Sequence, residues 1–307
     1  MTTIAKALNA AMADALAADP KVLVMGEDVG TLGGVFRITD GLKERFGGLR
    51  VIDTPLAESG IVGTAIGMAM RGYRPVAELQ FDGFTAPAFD QIVSQLARYR
   101  ARVGGRWSLP VTIRVPYGGG VGSPEHHSES PEGFYASVPG LKVVTCATPD
   151  DAYWMLRQSI DCDDPVIFFE PKRRYYVKGE ISPAASTGLH QARVVRPGTD
   201  ATLLCYGPMV KTCLQAAEAA REEGWDVEVV DVEVLEHGAP SAAPAETASE
   251  GVATDDVASE DEPADDEPFD EQAVTDTRRR SGGRAGSASA ARARGANTAE
   301  AGLGAAA

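Results

Sequence analysis

The sequence lacks several features that mark particular classes of protein. Its 307 residues include four cysteines, and none of them forms a CxxC pair, which argues against a zinc site or a disulfide framework. No apolar run is long enough to span a bilayer, and the N-terminus lacks the basic and apolar regions of a secretory signal. We therefore expect a cytoplasmic protein without a membrane partner.

Positive charge is scarce as well. Lys and Arg number 29 against 44 Asp and Glu, so the formal net charge is −15. Because phosphate binding needs a basic surface, this balance predicts no nucleic-acid partner. More than half of the net charge lies after residue 236, and the rest of the chain has the charge of an ordinary soluble enzyme.

Short apolar strands alternate with helices through the first two-thirds of the chain. The predicted strands are 22–25, 51–52, 74–81, 110–115, 142–145 and 165–169, and the predicted helices are 3–18, 40–46, 59–71, 86–103 and 149–161. Such alternation is typical of an α/β fold with a mostly parallel sheet and helices on both faces. We assign one domain to residues 1–178, before a segment rich in Pro, Ser and Gly.

A second, incomplete α/β domain is predicted over 190–236, with strands at 201–205 and 226–232 around a helix at 209–223. Two strands and one helix leave a sheet face and an edge uncovered. Residues 237–307 contain few large apolar side chains, so we expect a disordered tail. Either an out-of-frame C-terminus or a natural acidic tail explains this composition, and resequencing the locus separates them.

Two parts of the chain are candidates for a site. Glu58 follows the strand at 51–52 and begins a glycine-rich helix. Ligands bind at the carboxyl ends of strands in open α/β sheets, although a Glu at a helix start is commonly only a favourable cap charge. His126 and His127 lie in a Gly/Pro-rich loop, 116–132, where histidines are more often surface residues, yet imidazole is the natural proton shuttle near neutral pH.

Eight ordered blocks connect these candidates to a known family. Residues 1–235 resemble the beta subunit of the thiamine-diphosphate-dependent 2-oxoacid dehydrogenases, the decarboxylating component of the pyruvate and branched-chain complexes. The blocks are Met25-Gly-Glu-Asp-Val-Gly30, Gly33-Gly-Val-Phe36, Asp53-Thr-Pro-Leu-Ala-Glu-Ser-Gly60, Gln80-Phe-Asp-Gly-Phe84, Pro116-Tyr-Gly-Gly-Gly120, His126-His-Ser-Glu-Ser-Pro-Glu132, Pro139-Gly-Leu-Lys-Val-Val144 and Asp163-Asp-Pro-Val-Ile-Phe-Phe-Glu-Pro-Lys172.

The resemblance implies a transketolase-like fold, with a pyrimidine-binding domain followed here by an incomplete transketolase C-terminal-like domain. It also implies an α2β2 heterotetramer in which thiamine diphosphate lies between an alpha and a beta chain, and a lipoyl acyltransferase as a further partner. The family's Gly-Asp-Gly motif, followed by Asn, is absent from this sequence. Mg²⁺ is then expected on the alpha subunit.

Residue roles follow by the same resemblance. Glu58 would share a proton with the pyrimidine ring of the coenzyme and so favour its imino form, in which the coenzyme serves as its own base. Phe84 would stack on that ring, and Glu27 and Leu56 would line the same pocket. His127 would donate a proton to a lipoyl sulfur during acyl transfer, with His126 in a secondary position.

The resemblance also implies a cation site, and the sequence departs from the family at one position. The resemblance implies a K⁺ site near Val111, Thr112, Ile160 and Asp164, formed largely by backbone carbonyls. Many relatives have an aromatic residue where this chain has Ala101, which leaves a contact from that side of the pocket in doubt.

The predicted reaction is oxidative decarboxylation of a branched-chain 2-oxoacid with acyl transfer to lipoamide, because Phe168–Tyr175 resembles the branched-chain enzymes. Three alternatives stay open. In the first, the substrate is pyruvate or acetoin. In the second, the chain is truncated, non-catalytic and unable to assemble. In the third, the protein is a transketolase relative, which is disfavoured because such enzymes usually fuse the metal-binding half into the same chain.

Overall fold

The computed structural model describes residues 1–123, 125–189, 191–232 and 234–235. The predicted disordered tail, 237–307, therefore lies outside the described residues. The strands are β1 (Thr2–Thr3), β2 (Val22–Gly26), β3 (Val51–Asp53), β4 (Arg74–Glu78), β5 (Thr112–Tyr117), β6 (Lys142–Thr145), β7 (Val166–Pro171), β8 (Lys178–Gly179), β9 (Arg193–Arg196), β10 (Ala201–Cys205), β11 (Val227–Asp231) and β12 (Val234–Leu235).

The α-helices alternate with these strands. They are α1 (Ile4–Ala18), α2 (Leu42–Phe46), α3 (Glu58–Met70), α4 (Tyr99–Arg102), α5 (Glu132–Ala136), α6 (Pro149–Asp161) and α7 (Met209–Glu222). Two 3₁₀ turns, Asp82–Thr85 and Lys172–Arg174, follow β4 and β7, and a π-helix spans Gln91–Leu96.

The large sheet has the strand order β12-β6-β7-β5-β4-β2-β3. Neighbouring strands from β6 to β3 run parallel, and β12 pairs antiparallel with β6. The prediction of a mostly parallel α/β sheet is thus confirmed. Because the six parallel strands point the same way, the loops that follow them meet at one edge of the sheet.

The hydrophobic core forms two layers, one on each face of this sheet. Successive side chains of a strand point to opposite faces, and β2 shows this directly. Val22 and Val24 join the layer under α1 and α6, whereas Leu23 and Met25 join the layer under α3 and the π-helix. A strand buried on both faces has no polar positions, which explains the continuous apolar run in the sequence.

Local capping sets where the two helices of the first layer begin. The Thr3 hydroxyl accepts a hydrogen bond from the Lys6 N–H at the start of α1. At α6, Thr148 and Asp151 form a reciprocal capping box, and Pro149 occupies the first turn. These contacts satisfy N–H groups that otherwise have no partner at a helix start.

The segment 86–103 differs from the single helix that the sequence predicts. A π-helix lies at Gln91–Leu96, with an i→i−5 bond from the Ala97 N–H to the Ile92 carbonyl at 3.0 Å, and α4 contains only four residues. The apolar period in the sequence does not distinguish the wider π turn from an α turn, so the prediction of one continuous helix was wrong in this detail.

The second sheet is small and has the order β10-β11-β9. The sequence predicts β10 and β11 but not β9, which pairs antiparallel with β11. Helix α7 covers one face through a small core that includes Val210, Ala217 and Val229. The other face leaves Leu204 71% and Val194 55% exposed, so the expected uncovered face is present among the described residues.

Candidate active site

The candidate residues lie in segments that follow parallel strands of the large sheet. Glu27 comes directly after β2, Glu58 begins α3 after β3, and Phe84 lies in the 3₁₀ turn after β4. His127 lies in the loop after β5. Ligands bind beyond the carboxyl ends of strands in open α/β folds, so the topology gathers segments that are up to 100 residues apart in sequence.

Glu58 and Glu27 form a pair of buried carboxyl groups. Glu58 is 6% and Glu27 is 5% exposed, and among the described residues the buried Glu27 Oε1 has no hydrogen-bond partner. Burial raises the pKa of Glu27, and the nearby carboxylates of Glu58, Asp28 and Glu78 raise it further. Such a group readily holds or shares a proton.

The turn between Glu27 and the glycine-rich loop is held by Asp53 at the end of β3. Its carboxylate accepts hydrogen bonds from the N–H groups of Gly30 at 2.6 Å and Thr31 at 3.3 Å, and from the Lys43 ammonium at 2.9 Å. A Cβ atom on Gly30 would lie 2.5 Å from Asp53 Oδ2. Glycine is therefore needed at position 30 for this close approach.

A fully buried ion cluster lies below this edge of the sheet. Arg114, in β5, binds Glu78 at 2.6 Å and Glu170 through two bonds of 2.6 and 3.0 Å, and the Tyr175 hydroxyl donates to Glu170 at 2.7 Å. Burial raises the pKa of Glu78, although the charge of Arg114 opposes that shift. The cluster joins β4, β5 and β7, and it holds the charge of Glu78 near Glu27.

His127 lies in a group of aromatic rings. Its ring centroid is 4.3 Å from that of Phe81 and 5.3 Å from that of Phe84. Phe81 and Phe84 are 5.8 Å apart in an edge-to-face arrangement. The Nδ1 atom of His127 lies 2.7 Å from the Glu125 carbonyl oxygen. The structure thus brings the two predicted residues Phe84 and His127 together.

The backbone of the histidine loop is held by two bonds to other segments. The Gly83 N–H donates to the His126 carbonyl at 3.2 Å. The Lys172 ammonium donates to the His127 carbonyl at 2.8 Å and to Asp82 Oδ2 at 2.6 Å. His126 itself has a positive φ of 60° and an exposed side chain.

Leu56 and Ala101 were also named in the sequence analysis, and both are exposed. Leu56 is 76% exposed, and its role in a pocket stays a prediction. Ala101 lies exposed on α4, whereas Tyr99 on the same helix packs against the core layer under α3.

The segments predicted to hold K⁺ contain several carbonyls that already accept hydrogen bonds. Arg74 donates to the carbonyls of Ile160 and Cys162 at 3.1 and 3.2 Å. Thr112 donates through Oγ1 to the Ser159 carbonyl, the Val111 carbonyl accepts from Val166, and Arg100 pairs with Asp164. A carbonyl oxygen has a second lone pair, so the K⁺ site stays a prediction.

Sequence reasoning missed the buried charges that surround the site. Asp82, Glu170 and Lys172 lie within the motif blocks, but neither they nor Glu78 and Arg114 are predicted to have a role from the sequence. One signal could have found them, since charged residues inside apolar strands are rare unless they are paired. Arg114 interrupts an apolar strand, and Glu170 directly follows Phe168-Phe169.

Two kinds of feature are absent from the described part of the chain. Within residues 1–123, 125–189 and 191–232, no three His, Cys, Asp or Glu side chains are grouped so that they could hold a metal ion. In the same part of the chain, every helix is too short or too polar to cross a membrane.

Comparison with known families matches most of the described chain. Residues 1–178 match the family described as "Transketolase, pyrimidine binding domain", and residues 190–237 match "Transketolase, C-terminal domain". The first match alone covers more than half of the 307 residues. Glu27, Glu58, Phe84 and His127 all fall within it.

Curated relatives are similar over the same region. The "Pyruvate dehydrogenase E1 component subunit beta" of Leifsonia xyli is 58% identical over 231 residues, which are 75% of this chain and 68% of the relative. The "3-methyl-2-oxobutanoate dehydrogenase subunit beta" of Mycobacterium tuberculosis is 51% identical over 235 residues, 76% of this chain and 68% of the relative. The "2-oxoisovalerate dehydrogenase subunit beta" of Bacillus subtilis is 48% identical over 232 residues, 75% of this chain and 71% of the relative.

Solved structures show the same fold at lower identity. The structure titled "Split gene transketolase, inactive beta4 tetramer" superposes with a TM-score of 0.62 at 22% identity, over 74% of this chain and 70% of that one. A transketolase from Leishmania mexicana gives a TM-score of 0.60 at 17% identity, over 75% and 34% of the two chains. These likenesses establish the transketolase-like fold.

Proposed function

Since this chain belongs to the beta-subunit family of the thiamine-diphosphate-dependent 2-oxoacid dehydrogenases, we propose that it works with an alpha subunit in the decarboxylation of a 2-oxoacid and passes the acyl group to a lipoyl acyltransferase. The observation that carries the proposal is that the buried Glu27, with an unpaired Oε1 among the described residues, lies near the Glu58 carboxyl group, and that its backbone carbonyl accepts a hydrogen bond from the side chain of Gln80, which directly precedes Phe81 in the aromatic group around His127. The proposal also includes an α2β2 assembly, the acyltransferase as a partner and a cytoplasmic location.

The residues fit thiamine diphosphate in two respects. Glu27 Oε1 is buried without a partner among the described residues, as expected of a group that faces a polar ligand. The Phe81–Phe84 group offers an apolar surface for an aromatic ring. When bound, the coenzyme would supply a nucleophilic carbon for the 2-oxoacid carbonyl and a cationic ring that takes up the electron pair left by decarboxylation. Mg²⁺ would be held by the alpha subunit, and K⁺ at the carbonyls near Thr112 and Ile160.

Glu58 would hold a proton shared with a ring nitrogen of the coenzyme. Glu58 is nearly buried, which limits the access of water to that proton. Burial, and then the nearby Glu58 carboxyl group, raises the pKa of Glu27 in the same part of the site. Phe84, with Phe81, would exclude water from the ring. Leu56 would complete the pocket once the alpha subunit covers it.

His127 would serve the transfer of the acyl group. A carbonyl oxygen only accepts hydrogen bonds, so the contact with Glu125 places a proton on His127 Nδ1 and directs Nε2 away from the backbone. In the transfer, the S–S bond of the lipoyl ring breaks, one sulfur takes the acyl carbon, and the other sulfur takes the proton from Nε2 of His127. Imidazole suits this step because it gains and loses a proton near neutral pH.

The identity of the 2-oxoacid is the finer part of the proposal. The residues of β7 and the turn after it support a branched-chain substrate such as 3-methyl-2-oxobutanoate, and the 51% identity with a subunit of that name supports it too. Pyruvate is the second candidate, because a pyruvate-type subunit is 58% identical. Acetoin is the remaining alternative.

One experiment tests both the reaction and the substrate. The full chain is co-expressed with its alpha subunit, and CO₂ release from 3-methyl-2-oxobutanoate is compared with release from pyruvate, with and without thiamine diphosphate. We expect coenzyme-dependent release with a preference for the branched-chain acid. A preference for pyruvate would overturn the substrate choice, and no release from either acid would overturn the reaction.

A chain that cannot assemble is the other candidate, and the exposed Leu204 and Val194 on the second sheet favour it. Size-exclusion chromatography of the co-expressed subunits separates the two candidates. Elution at the mass of a heterotetramer supports the enzyme, whereas a monomeric or aggregated beta chain without bound alpha subunit supports the non-catalytic chain. The same experiment tests the assembly, and cell fractionation tests the cytoplasmic location.

A further inference from the structure

A buried ion pair touches the loop that carries the proposed catalytic histidine. The Lys172 ammonium lies 2.6 Å from Asp82 Oδ2, and neither side chain is exposed. The same ammonium donates a hydrogen bond of 2.8 Å to the His127 carbonyl oxygen. Burial lowers the pKa of Lys172 and Asp82 opposes that shift. The lysine therefore joins the turn after β4 to the histidine loop.

A second bond holds the neighbouring carbonyl from another segment. The Gly83 N–H donates to the His126 carbonyl at 3.2 Å. A Cβ atom at position 83 would lie 2.5 Å from His126 Cα and 2.7 Å from its carbonyl oxygen, so a glycine is required for this contact. Consecutive carbonyls of the histidine loop are thus fixed by Gly83 and Lys172, next to Asp82 in the same turn.

These two anchors constrain the imidazole of His127. With its carbonyl fixed and Nδ1 bonded to Glu125, the ring has one orientation, against Phe81 at 4.3 Å and Phe84 at 5.3 Å between centroids. The Lys172 ammonium also lies 5.6 Å from the centroid of Phe81. The ammonium thus contacts both the backbone of the histidine and the ring against which the histidine packs.

We propose that Lys172 and Asp82 are positioning residues that set the orientation of His127 for acyl transfer, a role that rests on the proposed function of that histidine. The competing interpretation is that the pair only stabilises the fold. A buried ion pair by itself is weak evidence for stability, since removing charges from water is costly. The bond from Lys172 to the His127 carbonyl is the feature that a purely structural pair would not need.

The test uses full-length chain co-expressed with its alpha subunit. The variant Asp82→Asn/Lys172→Met removes the pair without leaving an isolated buried charge, and Gly83→Ala displaces the loop independently. The control is Arg50→Met, because Arg50 also binds backbone carbonyls, those of Val22 at 2.6 Å and Asp19 at 2.8 Å. Lys172→Arg keeps a positive charge and hydrogen-bond donors.

Three measurements are made on each folded variant. Decarboxylation is followed with an electron-accepting dye, acyl transfer is followed on a lipoyl domain, and the reactivity of His127 with diethyl pyrocarbonate is followed by peptide mass spectrometry without substrate. The reagent modifies neutral imidazole, and the chain has only four histidines. The last measurement reports on the imidazole whether or not the chain is active.

The loop variants are Asp82→Asn/Lys172→Met and Gly83→Ala, both of which release the histidine loop. For both we expect His127 to react about threefold to tenfold faster. Acyl transfer should fall about tenfold to a hundredfold, in line with the effect of a displacement of about 1 Å on catalysis. The KM for the 2-oxoacid and dye-coupled decarboxylation should change less than about twofold, as should every measurement for Arg50→Met. Lys172→Arg should retain most of the acyl transfer of the wild type.

Unchanged reactivity of His127 in the folded loop variants would overturn the positioning role. So would unchanged acyl transfer in these variants when His127→Asn is slow. A different result marks failure of the proposed function: if His127→Asn transfers acyl groups at the normal rate, the proton-donor role is wrong, while the reactivity of His127 still decides whether Lys172 and Asp82 position it. If the double variant does not fold, Gly83→Ala decides the question by the same reactivity.

Discussion

His127 Nδ1 lies 2.7 Å from the carbonyl oxygen of Glu125, two residues earlier in the same loop. Because a carbonyl oxygen cannot donate, the proton on this bond belongs to the imidazole. Nε2 is then the nitrogen that gains or loses a proton in a reaction. Nδ1 thus anchors the ring, and Nε2 is left for the proton transfer that we propose.

Replacing His127 with Asn tests that division. The side-chain amide of Asn can still donate to the Glu125 carbonyl, but it has no atom in the place of Nε2. We expect acyl transfer to a lipoyl domain to fall about 10²- to 10⁴-fold, the usual contribution of a positioned proton donor, with dye-coupled decarboxylation reduced much less.

The matched control for this prediction is His126→Asn. His126 is exposed and has a φ of 60°, a conformation that Asn adopts more readily than most residues. Acyl transfer by this variant should stay within about twofold of the wild type. Equal losses for the two variants would show that the loop, and not Nε2 of His127, limits the transfer.

The second prediction concerns Glu58→Gln. The amide keeps the size of the side chain but cannot share an acidic proton with the coenzyme. We expect coenzyme-dependent CO₂ release to fall at least about a hundredfold, while the chain still assembles with its alpha subunit. CO₂ release and size-exclusion chromatography measure the two effects.

Glu44→Gln is the control for the helix-start charge. Glu44 lies exposed in the first turn of α2, so its replacement removes the same favourable interaction with a helix start, about 0.3–1 kcal/mol of stability. Normal CO₂ release is expected from Glu44→Gln. If Glu58→Gln were equally active, the cap-charge interpretation of Glu58 would be correct and the catalytic one wrong.

The third prediction is a pH dependence of stability from Asp231. Burial, then the nearby carboxylate of Asp151, raises its pKa to about 7 although Arg193 opposes the shift, and Oδ1 has no hydrogen-bond partner within the described residues. The folded state therefore holds a proton that the unfolded state releases near pH 4. The stabilisation by this proton is complete below about pH 4 and is lost as the pH rises to about 7.

Asp231→Asn removes this dependence, because an amide does not titrate. Relative to the wild type, the variant should gain up to about 3 kcal/mol in free energy of unfolding between about pH 5 and pH 8. Urea denaturation at several pH values measures the difference. A difference that is constant across this range would show that Asp231 does not titrate with a raised pKa. Glu222→Gln, an exposed change at the end of α7, is the control.

The fourth prediction concerns the buried cluster around Arg114. Arg114→Met leaves Glu78 and Glu170 buried without their cationic partner, which should cost about 3–5 kcal/mol of stability. Neutralising the acids as well, in Glu78→Gln/Arg114→Met/Glu170→Gln, should recover a large part of that loss. Thermal denaturation of both variants checks this. If the triple variant unfolds at the same temperature as Arg114→Met, the loss comes from packing and not from unpaired charge.

Much of the large domain could be predicted because its elements are periodic over enough residues. The apolar run of β2 and the capped pattern of α6 predict their own conformations. The short strands β1, β8, β9 and β12 have two to four residues and no pattern of their own. Their conformation depends on the strands with which they pair, so they were missed.

The residues of the candidate site could likewise be predicted only in part. Glu58, Phe84 and His127 could be chosen from motif blocks, and they stay predictions about function. Lys172 could not be linked to Asp82, which lies 90 residues earlier, nor Arg114 to Glu170, because no local pattern encodes which buried charge meets which. The K⁺ segments contain carbonyls that Arg74 already contacts, a pairing invisible in the sequence.

By itself, the sequence determined the family, the alternation of strands and helices, and the residue types available for chemistry, because these depend on local pattern and motif. Only the tertiary structure decided which ring nitrogen of His127 is free, which carboxyl groups are buried without partners, and which lysine holds the histidine loop. Those properties depend on desolvation and on distances between segments far apart in the chain, and folding alone sets them.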